Sequence, residues 1–326
     1  MVKNNVCVQK VVSGRLCIVF VAAGLLVLSV SACSGENSPE ASTVPENPAD
    51  VTTGGETAQE ATTGDETPEK QFEDFDASNF GSSTSIDNEW LPLRPGMRYV
   101  YNGFTKEDGE KIAARVVTTV TDLTKVIDGV HSVVLLDLDY SAGELVEAEL
   151  AFFAQDNDGN VWRMGEYPEE YEEGKLVDAP AWIAGIQNAR AGIAMKAESR
   201  LGESSYSQGW APAVEFTDRA RVYQVARRTC VPVDCYEDVL VMEEFSREEP
   251  GAFQLKYYAP SVGNVRVGWR GKDESHETLE LVQVGQVSPE TLTKIRGEAL
   301  ELEKRAYKIS ENVYGQTPPA EPLGAE

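Results

Sequence analysis

Cys230 and Cys235, with Val-Pro-Val-Asp between them, are the first residues of this chain whose type and spacing suggest chemistry. In an oxidising compartment such a pair closes a disulfide, and in a reducing one it exchanges electrons or binds zinc. Redox pairs usually hold two residues between the thiols. A zinc site would need further ligands, which the two histidines, His131 and His276, do not supply by their positions. A hairpin turn between two strand-like stretches is therefore expected, pinned by a Cys230–Cys235 disulfide. Asp156-Asn157-Asp158-Gly159-Asn160 offers a second candidate, since Asp156, Asp158 and Asn160 resemble the start of a calcium loop. Position twelve of that loop would be Tyr167 instead of the bidentate Glu, so a hairpin turn is the preferred reading and no metal site is assigned. Gly202-Glu203-Ser204-Ser205 lacks the Gly-x-Ser-x-Gly elbow of a serine hydrolase. Carboxylates are plentiful, as in Glu169, Glu170, Glu172 and Glu173, but an acid/base pair needs surroundings that separate two pKa values. No catalytic residue is assigned, no cofactor is expected and the chain is not expected to be an enzyme.

The thiol with the clearest role is Cys33. Lys3, Lys10 and Arg15 precede an apolar run over 16–30, and Val30-Ser31-Ala32-Cys33 closes it with small residues and a cysteine. A charged start, an apolar stretch and a small-residue cleavage site make a secretory signal, shorter than the ~20 apolar residues of a membrane span. The Val-Ser-Ala-Cys end resembles the lipobox of bacterial lipoproteins, which implies removal of residues 1–32 and acylation of the Cys33 thiol. Cys7 and Cys17 then leave with the signal, and Cys230 and Cys235 remain as an even pair in an exported chain.

Residues 33–74 form an acidic linker of Ser, Thr, Glu, Pro, Gly and Ala, with Thr-Thr-Gly-Gly-Glu-Thr and Thr-Thr-Gly-Asp-Glu-Thr as near repeats. Such a composition cannot offset the entropy of ordering and is expected to stay disordered. As a flexible coil it reaches roughly 35 Å on average. The formal net charge of the whole chain is -25, which disfavours nucleic acid and anionic lipid headgroups as partners. Membrane attachment therefore falls to the lipid, and the protein is expected outside the cytoplasm, on the cell membrane or outer membrane.

Ten stretches carry strand signals: 97–104, 113–120, 130–140, 146–155, 160–165, 220–226, 239–245, 253–259, 263–269 and 277–284. Alternation of apolar and polar residues, as in 98–101 and 276–284, marks half-buried antiparallel strands. Glu107-Asp108-Gly109, Ile127-Asp128-Gly129, Ser141-Ala142-Gly143 and Glu172-Glu173-Gly174 punctuate them as turns. The expected fold is mainly β: an antiparallel meander over 75–287 that curls into a sheet or partly open barrel. Residues 182–202, rich in Ala, Gly and Ile, are expected as a loop or short helical cover. A C-terminal amphipathic helix is expected over 288–315, capped by Ser288, with Leu292, Ile295, Ala299, Leu302, Ala306, Ile309 and Val313 on one face, followed by a disordered tail over 316–326. That stripe packs on the β domain or, alternatively, forms a coiled-coil seam over 288–313 to a second copy; a monomer is preferred.

The stretch Trp90-Leu91-Pro92-Leu93-Arg94-Pro95-Gly96-Met97-Arg98-Tyr99-Val100-Tyr101-Asn102-Gly103 resembles the opening motif of a family of exported bacterial lipoproteins that has no assigned activity. Lys256-Tyr257-Tyr258-Ala259-Pro260-Ser261-Val262-Gly263 and 153–162 are similar to further segments of that family, in the same order. The flanking cysteines at 230 and 235 depart from its pattern. The resemblance implies an envelope lipoprotein and transfers no catalytic or binding residues. The functional expectation is a non-catalytic module that binds an apolar or lipid-like ligand on a concave β face. The alternative is a structural or interaction protein of the envelope, with a solid β core and a helix-mediated protein partner.

Overall fold

The computed structural model describes residues 70–324. Cys33, the signal and all but the last residues of the expected linker lie outside the described residues. The chain forms β1 (Met97–Glu107), β2 (Glu110–Ile127), β3 (Val130–Ser141), β4 (Glu144–Gln155), β5 (Val161–Glu172) and β6 (Lys175–Asp178). Then come β7 (Trp182–Ile183), β8 (Arg190–Met195), β9 (Tyr206–Ser207), β10 (Gly209–Trp210), β11 (Arg219–Cys230) and β12 (Cys235–Phe245). They are followed by β13 (Ala252–Ala259), β14 (Gly263–Gly271), β15 (Thr278–Gln286), α1 (Pro289–Ile309) and β16 (Glu321–Pro322).

All ten expected strands are present, most of them longer than their sequence signal. The four Xaa-Gly turns explain why the hairpins are tight: Asp108, Asp128, Ala142 and Glu173 take φ of 46–49° and the glycine after each is also positive. Two consecutive positive φ values match the twist of the flanking strands, and a glycine at the second position makes them cheap. The strands β1 to β5 pair in succession, β11 to β15 do the same, and β1 joins the two meanders by pairing with β15. One short segment nearly closes the sheet into a barrel. Its Tyr206 and Ser207 pair with Ala220 and Arg219 of β11, and two residues on, Gly209 and Trp210 pair with Ala191 and Arg190 of β8, itself paired with β5. At this seam a Cβ on Gly192 would stand 2.2 Å from the backbone nitrogen of Gly209, so only glycine admits the approach.

The seam corrects one expectation: 182–202 is no helical cover but supplies β7 and β8, wall strands of the barrel. Their small residues suit the close backbone contact at the seam, and Ala191, Ile193, Ala194 and Met195 are buried. Contacts with the barrel also begin before Phe75. Arg190 lies 4.1 Å from the Phe72 ring, and the Glu73 carboxylate accepts the Ser207 amide at 3.0 Å.

Helix α1 starts as the sequence indicates, with the Ser288 hydroxyl accepting the Thr291 amide and Pro289 in the first turn. Its buried face is Ile295, Ala299, Leu302, Glu303 and Ala306, and it packs on β2 and β4. The helix is shorter than expected. It ends at Ile309, which is 44% exposed, and Val313, the last residue of the expected stripe, lies beyond the helix and packs against the core. The expected tail over 316–326 is corrected as well: its described part returns to the barrel, where Glu321 and Pro322 pair with Thr124 and Leu123 of β2.

The physical reason is Lys125, whose side chain is 0% exposed. Its ammonium donates to Glu303 at 2.8 Å, to the Tyr307 hydroxyl at 3.1 Å and to the Pro318 carbonyl at 2.6 Å, and sits 4.3 Å from the Tyr314 ring centre. Glu303 accepts in turn from the Ala320 amide at 2.9 Å and the Tyr314 hydroxyl at 3.2 Å. A buried ammonium must be paired and fully hydrogen-bonded, and here the helix and the C-terminal segment supply the partners together. Lys125→Met, which leaves Glu303 buried without its cation, should cost about 3–5 kcal/mol in chemical denaturation. It should also open 317–324 to carboxypeptidase, and adding Glu303→Leu should recover most of the loss.

Candidate functional site

The barrel wall lines a partly open cavity of about 230 Å³. Strand alternation decides what lines it. On β3 Asp137 and Asp139 point inward, and on β4 Glu147, Glu149, Ala151 and Phe153 do the same. In register Asp137 stands opposite Glu149 and Asp139 opposite Glu147, so four carboxyl groups occupy adjoining cross-strand positions on one wall. Like charges placed directly opposite one another on a sheet repel. Asp218, Glu244 and Glu277 add carboxylates from elsewhere on the lining, and Arg163 and Lys256 are its two cations. Tyr99, Tyr101, Leu135, Val267 and Leu279 are among the remaining wall residues. Next to the seam Trp182 and Phe216 pack with ring centres 4.7 Å apart in a separate apolar cluster with Ala189 and Ala211.

The charges divide the cavity into two poles. At one, Arg163 donates to Glu166 at 2.9 Å, and Lys256 pairs with Glu244 at 2.6 Å while Gln208 donates to the same carboxylate at 3.0 Å. Burial alone would raise the Glu244 carboxyl, but Lys256 and Gln208 hold it below the usual carboxylate range. Burial likewise opposes the Arg163 charge, and Glu166, Glu149, Glu244 and Asp218 around it more than compensate. At the other pole stand Asp139 and Glu147. Burial pushes both well above the ordinary range; Asp137 and Glu277 raise Asp139 further, and Asp139, Glu149, Glu170 and Glu166 raise Glu147, with no cation among the influences on either. Glu149 is pushed well up by burial, Glu166 and Asp137, with Arg163 in partial opposition. Asp137 rises by burial less steeply, because the Thr118 hydroxyl, Arg163 and Lys256 favour its charge. The lining sets these carboxyl groups among apolar residues such as Leu91, Leu93, Leu135, Phe153 and Leu279, so the concave face expected for a lipid-like ligand is apolar only in part, and a hydrocarbon chain laid against the carboxylates would strip them of water without replacing it.

The residues singled out in the sequence lie elsewhere. Cys230 and Cys235 pair across the end of the β11–β12 hairpin as a disulfide on the surface. Asp156 organises its own turn: one oxygen accepts the Asp158 and Asn160 amides at 3.0 and 2.8 Å, the other the Asn160 side chain at 2.9 Å and the Trp162 indole at 2.8 Å. Its oxygens are thereby spent on protein donors, and among the described residues no group of three or more His, Cys, Asp or Glu is placed to hold a metal ion. His131 is exposed at the start of β3, and His276 stacks on Trp269 with ring centres 3.6 Å apart, so the structure does not bring the histidines to the cavity. Of the acidic run, Glu169 is the organised member: Arg305 of α1 binds it through Nε at 2.9 and 3.0 Å and Nη2 at 2.8 Å, and the Tyr167 and Tyr171 hydroxyls donate to it. Burial opposes that charge, but Arg305 and the two hydroxyls hold the carboxyl below its ordinary value.

No family model matches the sequence, and no curated protein matches it at a significant level. Two crystal structures are similar to the chain. A protein from Bacteroides fragilis described as exported and of YmcC-like fold is 14% identical with a TM-score of 0.36, covering 61% of this chain and 100% of that one. A protein from Parabacteroides distasonis described as a lipoprotein is 12% identical with a TM-score of 0.29, covering 61% of this chain and 99% of that one. Among the described residues no helix is long and apolar enough to cross a membrane.

The raised carboxyls carry a stability consequence with a definite sign. A carboxyl whose folded pKa lies above its unfolded value binds its proton more tightly in the folded state, so its contribution is full below about pH 4 and is lost as pH rises through the folded value. The melting temperature of the protein should therefore fall between pH 5 and pH 8 by more than that of Glu147→Gln. The variant should melt higher than the parent at pH 8. Equal slopes in the two proteins would show that Glu147 does not titrate against its neighbours.

Proposed function

We infer that this chain is a non-catalytic interaction protein of the bacterial cell envelope, anchored through lipid on Cys33, whose barrel presents the outer face of β11–β14 to an acidic protein partner. The observation that carries the reading is an arginine–aromatic face on a chain of net charge -25. Glu244 and Lys256 point into the cavity, so their neighbours Glu243 and Tyr257 point outward, together with Arg221, Arg266 and Arg270 from the adjoining strands. Arg270 lies 4.0 Å from the Phe253 ring and 4.9 Å from that of Tyr223, Arg221 5.2 Å from Phe245, and Arg266 5.4 Å from Tyr257. Glu243 bridges Arg221 and Arg270, which remain 38% and 35% exposed.

Arginine and aromatic residues are the side chains most enriched at protein interfaces, and stacking on a ring fixes a guanidinium without using up its donors. A local basic face on an acidic body steers and orients a partner of opposite charge. The helix is not the docking element in this reading, because its apolar stripe is committed to β2 and β4. The basic, apolar, small-residue start that ends in Cys33 supports anchorage at the outer side of a membrane.

Two measurements test the anchor and the partner separately. Cys33→Ser should move the protein from the membrane fraction to the soluble one; a variant that stays membrane-bound overturns the anchor. A photo-crosslinking residue in place of Tyr223 or Tyr257 should trap one discrete adduct in cells, and Arg221→Glu with Arg270→Glu should abolish it. The same probe in place of Glu301, exposed on α1, should trap none. No adduct from the β11–β14 face, or one indifferent to the arginines, overturns the partner reading.

A further inference from the structure

The barrel cavity carries an inference independent of the outer face. Its Asp139–Glu147 pole is built as an unfinished ion pair. Glu147 is 6% exposed and lines the cavity, and neither it nor Asp139 has a hydrogen-bond donor or cation in contact among the described residues. The two cations of the lining are engaged with other carboxylates, Arg163 with Glu166 and Lys256 with Glu244. A second unmet group comes from a different element and of a different type. Tyr206 of β9 is 4% exposed, and its hydroxyl has no partner. In register it stands opposite Ala220, which stands opposite Glu244, so its side chain lies on the cavity side of the sheet. The charged groups nearest it are Glu244 of the lining together with Glu73 and Glu203, so it stands behind the Glu244 side of the cavity.

Buried polar groups in folded proteins are almost always hydrogen-bonded, and buried charges paired, so an interior that leaves a carboxylate and a hydroxyl unmet is complementary to something that supplies donors and positive charge. A metal ion would require several of these oxygens to converge on one point, and among the described residues no group of three or more is placed to do so. An alkyl ammonium needs less convergence, since its three N–H donors fan out toward separate acceptors. Its hydrocarbon part matches the walls of Tyr99, Tyr101, Val116 and Leu279. The volume of about 230 Å³ lies below the ~300–1,000 Å³ typical of pockets for drug-sized molecules, so the occupant is small.

We propose that the barrel interior is a binding site for a small organic cation bearing a primary ammonium group, received between Asp139 and Glu147. The probe is cadaverine, with 1,5-pentanediol as its uncharged counterpart, titrated calorimetrically into the described domain as part of the mature chain at physiological salt. Cadaverine should bind with a Kd of about 1 mM or tighter while the diol gives no heat. Glu147→Gln should weaken binding at least tenfold, Asp139→Asn should do the same, and the exposed control Glu301→Gln should leave it unchanged. Ring resonances of Tyr206 and Tyr258 in protein labelled at tyrosine should shift with cadaverine and not with the diol, which separates binding in the chamber from attraction to the acidic surface. Absence of binding at roughly 10 mM, equal binding by the diol, or cadaverine binding that survives both carboxylate substitutions would each overturn the proposal.

Discussion

Burial of β2 to β5 on both faces is the constraint from which most of this structure follows. On the outer side α1 and the returning C-terminal segment cover these strands, and on the inner side they wall the cavity. A strand of an antiparallel sheet ordinarily keeps one face in water, where polar side chains need no designated partner. Here neither face has that freedom. Lys125 on the outer side and the carboxylates on the inner side must find their partners within the protein, and the two sides do so differently. Outside, one lysine collects a carboxylate, a hydroxyl and a carbonyl, and in doing so fixes where the chain ends. Inside, seven carboxylates of the lining face two cations.

That imbalance is a stability deficit at neutral pH. The Arg163–Glu166 and Lys256–Glu244 pairs satisfy their members, yet a buried pair contributes little net stability once desolvation is counted. Asp139 and Glu147 are worse placed, both raised by burial, Asp139 further by Asp137 and Glu277 and Glu147 further by Asp139 and its other acidic neighbours. A purely structural interior would be more stable with Leu or Val at these positions, since a well-packed apolar core avoids both desolvation and repulsion. Groups that destabilise the fold and persist in one cluster are characteristic of sites that do something other than hold the fold together.

How much was legible in the sequence follows from the same constraint. The ten long strands, their Xaa-Gly turns, the Cys230–Cys235 hairpin and the Ser288 cap rest on local rules and could be read directly. The inward carboxylates could not. Leu136-Asp137-Leu138-Asp139 and Glu147-Ala148-Glu149-Leu150 show clean alternation, but period two says only that acids and apolar residues lie on opposite faces. The ordinary choice puts the acids in water; α1, which covers the apolar face from outside, reverses it. The 182–202 segment was missed for a different reason. Its strands are two and six residues long and their small side chains give no period, because they are selected by a backbone approach to 206–210 that sequence distance hides. The C-terminal return was hidden likewise, since nothing near Pro318 reveals that its carbonyl serves a lysine nearly two hundred residues earlier.

Glu243 and Glu244 show how one strand serves both sides of the barrel. They are consecutive on β12 and almost fully buried, yet Glu243 holds Arg221 and Arg270 on the outer face while Glu244 holds Lys256 in the cavity. Successive side chains of a strand point to opposite faces, so the two carboxylates are separated by the thickness of the sheet while their backbones are rigidly joined. The neighbouring strand repeats the arrangement, with Lys256 inward and Tyr257 outward beneath Arg266. Glu243 and Tyr257 are therefore each backed by an inward neighbour of the Glu244–Lys256 ion pair, while Arg221 and Arg266 are backed by the buried apolar residues on either side of them. The opposite wall has no such division. On β3 and β4 the outer side is apolar and sealed beneath the helix, so every charge of those strands that is not at a turn falls inside, and the cation-free pole forms where the two strands pair.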